Sequence, residues 1–249
     1  MSESALRLAV LFPELLGTYG DGGNVTVLER RLRWRGFGCE VVRVSLGAPI
    51  PIDCDLYLLG GGEDDAQSLA MQGLRDSPGL TTAVARGATV FAVCAGLQLL
   101  GTTFMTTRGG EETGLGLLDV ATRRRRVRAV GEVVALPEPD LAGAPENGLP
   151  ALTGFENHGG GTVLGPAARP LARVVSGVGN GGVEDAASGG TRWEGAVQGG
   201  IVSTYLHGPV LARNPALADL LLTRATGSAL PDLPSPPVEA LRRRLLAAH

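Results

Sequence analysis

Cys94 is the residue whose setting points most directly to chemistry. It stands in Thr89-Val-Phe-Ala-Val-Cys94-Ala-Gly-Leu-Gln98, directly after an apolar run and directly before a helical one. Ala92, Ala95 and Gly96 surround it. Small residues on both sides of a nucleophile mark a nucleophile elbow, a tight strand-to-helix turn that holds the side chain above a sheet and leaves no room for bulk. A helix N-terminus behind the sulfur would favour the thiolate, and the Ala95 N–H is placed to meet a developing oxyanion. Cys39 and Cys54 lack such flanks and read as structural.

A thiol nucleophile needs a base, and the internal histidines are His158 and His207. His207 follows the strand-like run Ile201-Val-Ser-Thr-Tyr-Leu206 and precedes Gly208-Pro209. A strand parallel to the one before Cys94 would deliver it to the same sheet edge. His158 sits in Gly154-Phe-Glu-Asn-His158-Gly-Gly-Gly161, where ordering a glycine-rich turn explains it as well as catalysis does. Position at a strand end favours His207. The acidic loop Glu63-Asp64-Asp65 lacks a histidine or fourth carboxylate at ligand spacing, so capping a helix that starts at Ala66 is its expected use and no metal is expected. In Tyr19-Gly-Asp21-Gly-Gly-Asn24, Asn24 is expected to cap the first helix. In Arg123-Arg-Arg-Arg-Val-Arg128, strand alternation puts Arg124, Arg126 and Arg128 on one face and Arg123 and Arg125 on the other, and at most one face can meet the site. A solvated strand is the simpler reading for Arg123 and Arg125.

The elements that must position these residues alternate in type. Leu6 to Phe12, Glu40 to Val44, Asp55 to Leu59 and Ala88 to Val93 are β-rich, while Asn24 to Arg35, Ala66 to about Arg86 and Ala95 to about Gly101 have helical spacing. That order predicts a parallel, helix-flanked sheet with function at the carboxyl ends of its strands. Those ends read Gly17 to Asn24, Gly60-Gly-Gly-Glu-Asp-Asp65 and Cys94-Ala-Gly96, three loops bound for one edge. Further on, Val120 to Leu136, Leu171 to Val175 and Ile201 to Leu206 read as strands, with Asn180-Gly-Gly-Val and Ser188-Gly-Gly as loop material. A single domain over residues 1–230 is expected, followed by a Pro-rich segment and a short helix over 231–249 with Arg242 to Arg244 exposed.

Composition limits what this site can be. A chain of 249 residues with 44% hydrophobic and 19% charged residues and a net charge of −3 can bury a sizeable core and is a poor nucleic-acid binder. All 22 basic residues are arginine, which removes Schiff-base chemistry and the lysine of a phosphate-binding P-loop. An odd number of cysteines without a CxxC pair argues against disulfide or zinc scaffolding. The N-terminal apolar run is short and broken by Pro13, so no signal peptide or membrane span is expected and a cytoplasmic protein is the default. Glycine occurs 38 times, as where backbone turns sharply or approaches a ligand.

Taken together, Val93-Cys94-Ala-Gly-Leu-Gln98 and Tyr205-Leu-His207-Gly resemble the class I, triad-type glutamine amidotransferases of the CobB/CobQ-like branch. With Tyr19-Gly-Asp-Gly-Gly-Asn24, Gly60-Gly-Gly-Glu-Asp-Asp-Ala-Gln67 and Gly154-Phe-Glu-Asn-His158, the sequence is similar to GatD-type glutaminase subunits of lipid II isoglutaminyl synthase from Leu8 to about Pro209. The resemblance implies a flavodoxin-like three-layer α/β fold. It implies Cys94 and His207 as catalytic residues acting on L-glutamine, an oxyanion held by backbone N–H groups of the Gly60 to Gly62 loop and of Ala95, and Gly61, Gly62, Ala95, Gln98 and Arg128 as substrate-binding residues, Arg128 taking the α-carboxylate. It also implies a Mur-ligase-like MurT partner in a heterodimer, to which ammonia passes and which uses ATP and Mg to amidate lipid II; no cofactor is expected in this chain. An amidotransferase for corrinoid side chains and a non-catalytic scaffold subunit are the competing readings. One departure stands out: the acidic residue usual two positions after the catalytic histidine is replaced by Pro209. The resemblance implies that a partner's Asp fills the role, with Glu156 as a weaker internal candidate, and that the isolated chain hydrolyses glutamine poorly.

Overall fold

Short runs rich in Val, Leu and Ala form the strands of the first sheet, whose central strands are covered on both faces. The computed structural model describes residues 5–106, 110–181, 190–234 and 236–247. Strands β1 (Leu6–Leu11), β2 (Cys39–Val44), β3 (Leu56–Leu59) and β4 (Thr89–Val93) lie parallel. Every residue of β3 and β4 is buried, as expected of strands with helices packed over them. The six-stranded order is β11-β12-β4-β3-β1-β2, in which β12 (Ile201–Thr204) is parallel to β4 and β11 (Ala196–Gln198) is an antiparallel edge.

The connecting helices follow the expected alternation with one break. Helix α1 (Gly23–Trp34) joins β1 to β2, and α4 (Ala95–Leu100) follows β4. The stretch anticipated as one helix from Ala66 to Arg86 is two: α2 (Asp64–Asp76) and α3 (Gly79–Ala85). Ser77 between them is extended (φ −127°, ψ 98°) because it precedes Pro78, whose ring disfavours a helical conformation at that position.

A second, seven-stranded sheet covers the carboxyl edge of the first. Its spine is the long hairpin of β7 (Val120–Pro137) and β8 (Leu152–Leu164). Flanking them are β9 (Ala172–Ser176), β10 (Trp193–Glu194), β5 (Thr103–Met105), β6 (Glu111–Thr113) and the two-residue strand β13 (Leu206–His207). The run expected as one strand from Ile201 to Leu206 therefore divides: four residues lie in the parallel sheet, Tyr205 turns the chain, and Leu206 and His207 pair with β8 in the second sheet. The segment around His158, for which a glycine-rich turn was one of two readings, is part of strand β8. Its glycines serve close packing instead: a Cβ on Gly154 would lie 2.6 Å from the Cβ of Leu206, and one on Gly160 would lie 2.4 Å from Nε2 of Gln98. The stretch 182–189, part of the expected loop material, falls outside the described residues.

Helices α5 (Val210–Arg213), α6 (Pro215–Thr226) and α7 (Pro236–Ala247) close the chain. Arg242, expected to be exposed, is buried. Its guanidinium donates to the carbonyls of Arg213 and Ala151 and to Oδ1 of Asn214. Asn214 in turn brackets Thr153 at the start of β8, accepting its N–H and donating to its carbonyl. Among the described residues no helix is long and apolar enough to cross a membrane.

Candidate active site

Strand β4 ends by turning sharply at Cys94, which adopts φ 50° and ψ −103°. A left-handed φ on a residue with a Cβ is strained, at about 1–3 kcal/mol, and persists only where the surroundings over-determine it. Here they do. The Cys94 N–H donates to the carbonyl of Thr204 on β12 (2.8 Å), its carbonyl accepts from the Gln98 N–H (3.1 Å), and the Gly96 N–H reaches the carbonyl of Gly60 (3.2 Å). A Cβ on Gly96 would fall 2.8 Å from both Cβ and O of Leu59, so only glycine lets the elbow seat on β3.

His207 lies three residues past the end of β12, which is parallel to β4 as expected, and β13 and the Asp21 loop then hold it in place. Its Nδ1 lies 2.9 Å from Oδ2 of Asp21, and both side chains are fully shielded from solvent. Asp21 sits on the loop between β1 and α1, whose Thr18–Gly20 turn precedes it. The same Oδ2 accepts the Gly61 N–H at 2.8 Å. The Nδ1–H tautomer this contact selects leaves Nε2 as the basic nitrogen, and that buried atom has no hydrogen-bond partner. Asn24 does not cap α1, which begins at Gly23. Its Oδ1 accepts the N–H of Leu211 (3.1 Å), tying α1 to the segment just after His207.

An acidic partner for the His207 imidazole is therefore present within the chain. Where a partner's Asp was expected to hold the imidazole, Asp21 of this chain already lies against its Nδ1, and Glu156 has other work. Both Glu156 oxygens accept backbone N–H groups, from Val178 and Gly179 at 2.8 Å each, and Oε2 lies 3.5 Å from Nε2 of His158. His158 is in β8 rather than in a loop, and it lines the same cleft as Cys94 and His207. It is a buried β8 residue stacked on Tyr205 at 3.9 Å, with Nδ1 2.7 Å from the carbonyl of Gly160.

Cys94 and His207 line one cleft, with Tyr19, Gly62, Glu63 and Arg128 nearer its mouth and Gln67, Gln98 and Thr122 in its wall. The wall is a connected polar chain. Gln67 Nε2 donates to Gln98 Oε1 (2.7 Å), Gln98 Nε2 donates to the Tyr205 hydroxyl (3.1 Å), and that hydroxyl contacts Thr162 (2.6 Å), which contacts Thr122 (2.8 Å). Gln98 thus reaches the cleft as expected, but with both ends of its amide engaged.

Two electrostatic expectations change. Burial pushes the Cys94 thiol up to about 12, and the negative charge of Asp21 adds to this; the Ala95 N–H and the Arg128 guanidinium pull the other way and do not overcome it. Burial thus favours the neutral thiol in the free site, while the Ala95 N–H at the helix N-terminus favours the thiolate as expected but is outweighed; α4 has only six residues behind it. Among the oxyanion donors, the Gly61 N–H is committed to Asp21. Of the remaining expected donors, Gly62 lines the cleft and Ala95 adjoins Cys94.

Of the arginine run, Arg124 and Arg128 line the cleft, in keeping with their shared face. The β7–β8 register shifts between Arg124 and Ala129, a bulge that re-aims the strand where it borders the site. Arg128 Nε donates to Asn157 Oδ1 (2.6 Å) and its Nη2 to the Asn157 carbonyl (3.3 Å). Arg125 is not simply solvated: it is half-buried and donates to the carbonyls of Gly181 and Val127. Glu63 forms the backbone N-cap of α2 with no side-chain capping bond, contrary to the capping role expected for this loop. Its Oε1 instead accepts from the Tyr19 hydroxyl at 3.2 Å. The Tyr19 to Asn24 stretch was expected near the site mouth by resemblance, but no role was assigned to Asp21, Tyr19 or Asn157; the link from Asp21 to His207 spans too much sequence to be read from spacing.

Comparison with known proteins places these features in context. The sequence profile of the CobB/CobQ-like glutamine amidotransferase domain matches residues 7–215. The chain is 35% identical over 212 residues to the GatD subunit of the glutamine-hydrolysing lipid II isoglutaminyl synthase of Staphylococcus aureus (strain N315), covering 84% of this chain and 80% of that one. It is 30% identical to the subunit of the same name from Streptococcus pneumoniae (strain ATCC BAA-255 / R6), covering 88% and 80%. A cobyric acid synthase of Sphingopyxis alaskensis is 31% identical over 75% of this chain, which spans 35% of that larger protein. Among solved structures, a glutamine amidotransferase superposes with a TM-score of 0.58 at 19% identity, over 88% of this chain and 98% of that one. The glutaminase domain of Trypanosoma brucei CTPS, solved with bound acivicin, gives 0.53 at 13% identity, over 93% and 98%. These structures share the α/β fold.

Proposed function

Because the chain belongs to the CobB/CobQ-like glutamine amidotransferase family, we propose that it hydrolyses L-glutamine to glutamate and ammonia as the glutaminase subunit of a two-chain synthase. The observation that carries the reading is the placement of Cys94, on a strained elbow, in the same cleft as an imidazole whose Nδ1 is held by Asp21. Nε2 of His207 takes the Cys94 proton as sulfur attacks the side-chain carboxamide carbon of glutamine. The tetrahedral oxyanion is met by backbone N–H groups of Gly62 and Ala95. Collapse expels ammonia, which leaves with the proton returned by His207, and a γ-glutamyl thioester remains on Cys94. Water, deprotonated by the same nitrogen, then cleaves the thioester and frees glutamate and the thiol. Arg128 takes the substrate's α-carboxylate, a match for its planar guanidinium.

The finer assignment rests on the two GatD relatives, whose names describe subunits of lipid II isoglutaminyl synthase. By that analogy the ammonia passes in the cytoplasm to a Mur-ligase-like MurT subunit, which binds ATP and Mg and amidates the D-glutamate α-carboxylate of lipid II. This chain has no lysine with which to build a P-loop, consistent with activation on the other subunit. The cobyric acid synthases, which this chain matches over about a third of their length, keep corrinoid amidation as the second reading. Glutamate release from glutamine by the chain, abolished in Cys94→Ala, tests the chemistry. Glutamine-dependent amidation of lipid II on adding a Mur-ligase-like chain from the same source tests the assignment, and amidation of a corrinoid carboxylate instead would favour the second reading.

A further inference from the structure

At the mouth of the cleft, opposite charges face each other across one hydroxyl. The Tyr19 hydroxyl donates to Glu63 Oε1 at 3.2 Å and lies 3.5 Å from Nη2 of Arg128, which donates to it. Tyr19 holds this place with a left-handed backbone (φ 59°) and with its ring edge-on to His207 at 5.1 Å. Among the described residues that line the cleft, Glu63 is the only carboxylate. Two of the side-chain amide oxygens in the wall are engaged, Gln98 Oε1 by Gln67 and Asn157 Oδ1 by Arg128. Glu63 makes no capping bond that would give it a purely structural role.

A free amino acid presents an ammonium and a carboxylate on the same carbon, and a site selective for it needs an anion and a cation about one residue apart. We propose that Glu63 binds the α-ammonium of glutamine while Arg128 binds its α-carboxylate, and that in the free cleft the Tyr19 hydroxyl occupies the position between them. The inference rests on the glutaminase reading and deepens it, assigning selectivity for a free amino acid over a peptide-linked or deaminated amide to one side chain. Both charges also act on the Cys94 thiol, Arg128 lowering and Glu63 raising its proton affinity, which places them within electrostatic reach of the sulfur.

The test compares two electrophiles that label Cys94 in the full-length chain, the diazo-ketone analogue of glutamine, which carries the α-ammonium and α-carboxylate, and iodoacetamide, which carries neither. In Glu63→Gln the concentration of diazo ketone giving half-maximal labelling rises about tenfold or more, the effect of losing one charge-assisted contact, while the limiting rate stays. Iodoacetamide labelling is unchanged or slightly faster, and Glu63→Asp recovers part of the loss. Equal loss toward both reagents, or no change toward the diazo ketone, overturns the assignment of Glu63. A wild-type chain that iodoacetamide labels at Cys94 and the diazo ketone does not would overturn the glutamine reading itself.

Discussion

Oδ2 of Asp21 accepts two hydrogen bonds at once, from Nδ1 of His207 at 2.9 Å and from the Gly61 N–H at 2.8 Å. The carboxylate thereby fixes the imidazole tautomer and the glycine loop together. Gly61 has to be glycine for this, since a Cβ there would lie 2.6 Å from Cε1 of His207 and 2.9 Å from the carboxylate. In Asp21→Asn the amide can present an N–H toward Nδ1, which favours the tautomer with the proton on the wrong nitrogen. The glutaminase kcat is expected to fall by roughly 10²–10⁴-fold with little change in KM. Adding a partner subunit should not restore it. A variant with wild-type kcat in steady-state ammonia release would show that Asp21 is only a structural neighbour.

The buried Cys94 thiol makes a separate prediction about pH. Its proton affinity is raised from the ordinary thiol value of 9 to about 12 by burial, so the neutral form is the one the folded protein favours. Alkylation by iodoacetamide should be slow at neutral pH and keep rising beyond pH 9. For the same reason, the fold's gain from a neutral thiol is complete below pH 9 and is lost as pH climbs toward 12. A labelling rate that levels off below pH 8 would indicate a preformed thiolate–imidazolium pair and contradict this description.

What could be read from the sequence follows from how local each signal is. The elbow was legible because its cause is local: Ala92, Ala95 and Gly96 must be small within four residues of the nucleophile. The alternation of strands and helices in the first hundred residues was legible for the same reason. Strand β8 was not, because a glycine that makes room for Gln98 or Leu206 looks the same in sequence as a glycine that makes a turn. Asp21 was missed because its partner lies 186 residues away. The expectation that followed, a missing acid supplied in trans, came from looking for the acid at a fixed offset from the histidine, whereas the fold supplies it from a different strand's end.

Arg242 links the C-terminal helix to the second sheet. Three oxygens, on Ala151, Arg213 and Asn214, accept from its guanidinium. Truncation would remove the guanidinium from the carbonyls of Ala151 and Arg213, and Asn214, whose Oδ1 would keep only the Thr153 N–H, would lose an anchor. Arg242→Ala should cost about 2–4 kcal/mol in denaturant unfolding, whereas Arg243→Ala on the same helix should cost under about 0.5 kcal/mol, as surface changes generally do. Equal midpoints for the two variants would show that α7 is not anchored through Arg242.

Glu194 lies behind the segment that carries His207. It is wholly buried, with Oε1 accepting from the Thr204 hydroxyl and the Tyr205 N–H, while Oε2 has no partner. Burial raises its proton affinity from 4.5 to about 7, with the nearby Glu156 adding to the shift. A carboxyl group shifted upward favours the folded state when protonated. Its stabilising contribution is therefore full below pH 4.5, shrinks as pH rises toward 7 and is flat above. The span corresponds to roughly 3 kcal/mol. Glu194→Gln keeps an acceptor for Thr204 and Tyr205 and places an amide where the unpartnered oxygen stood. Its thermal midpoint should lose this decline between pH 4.5 and 7 and should exceed the wild-type midpoint at pH 8. Parallel curves of Tm against pH for the two proteins would mean that Glu194 is already charged in the folded state at pH 5.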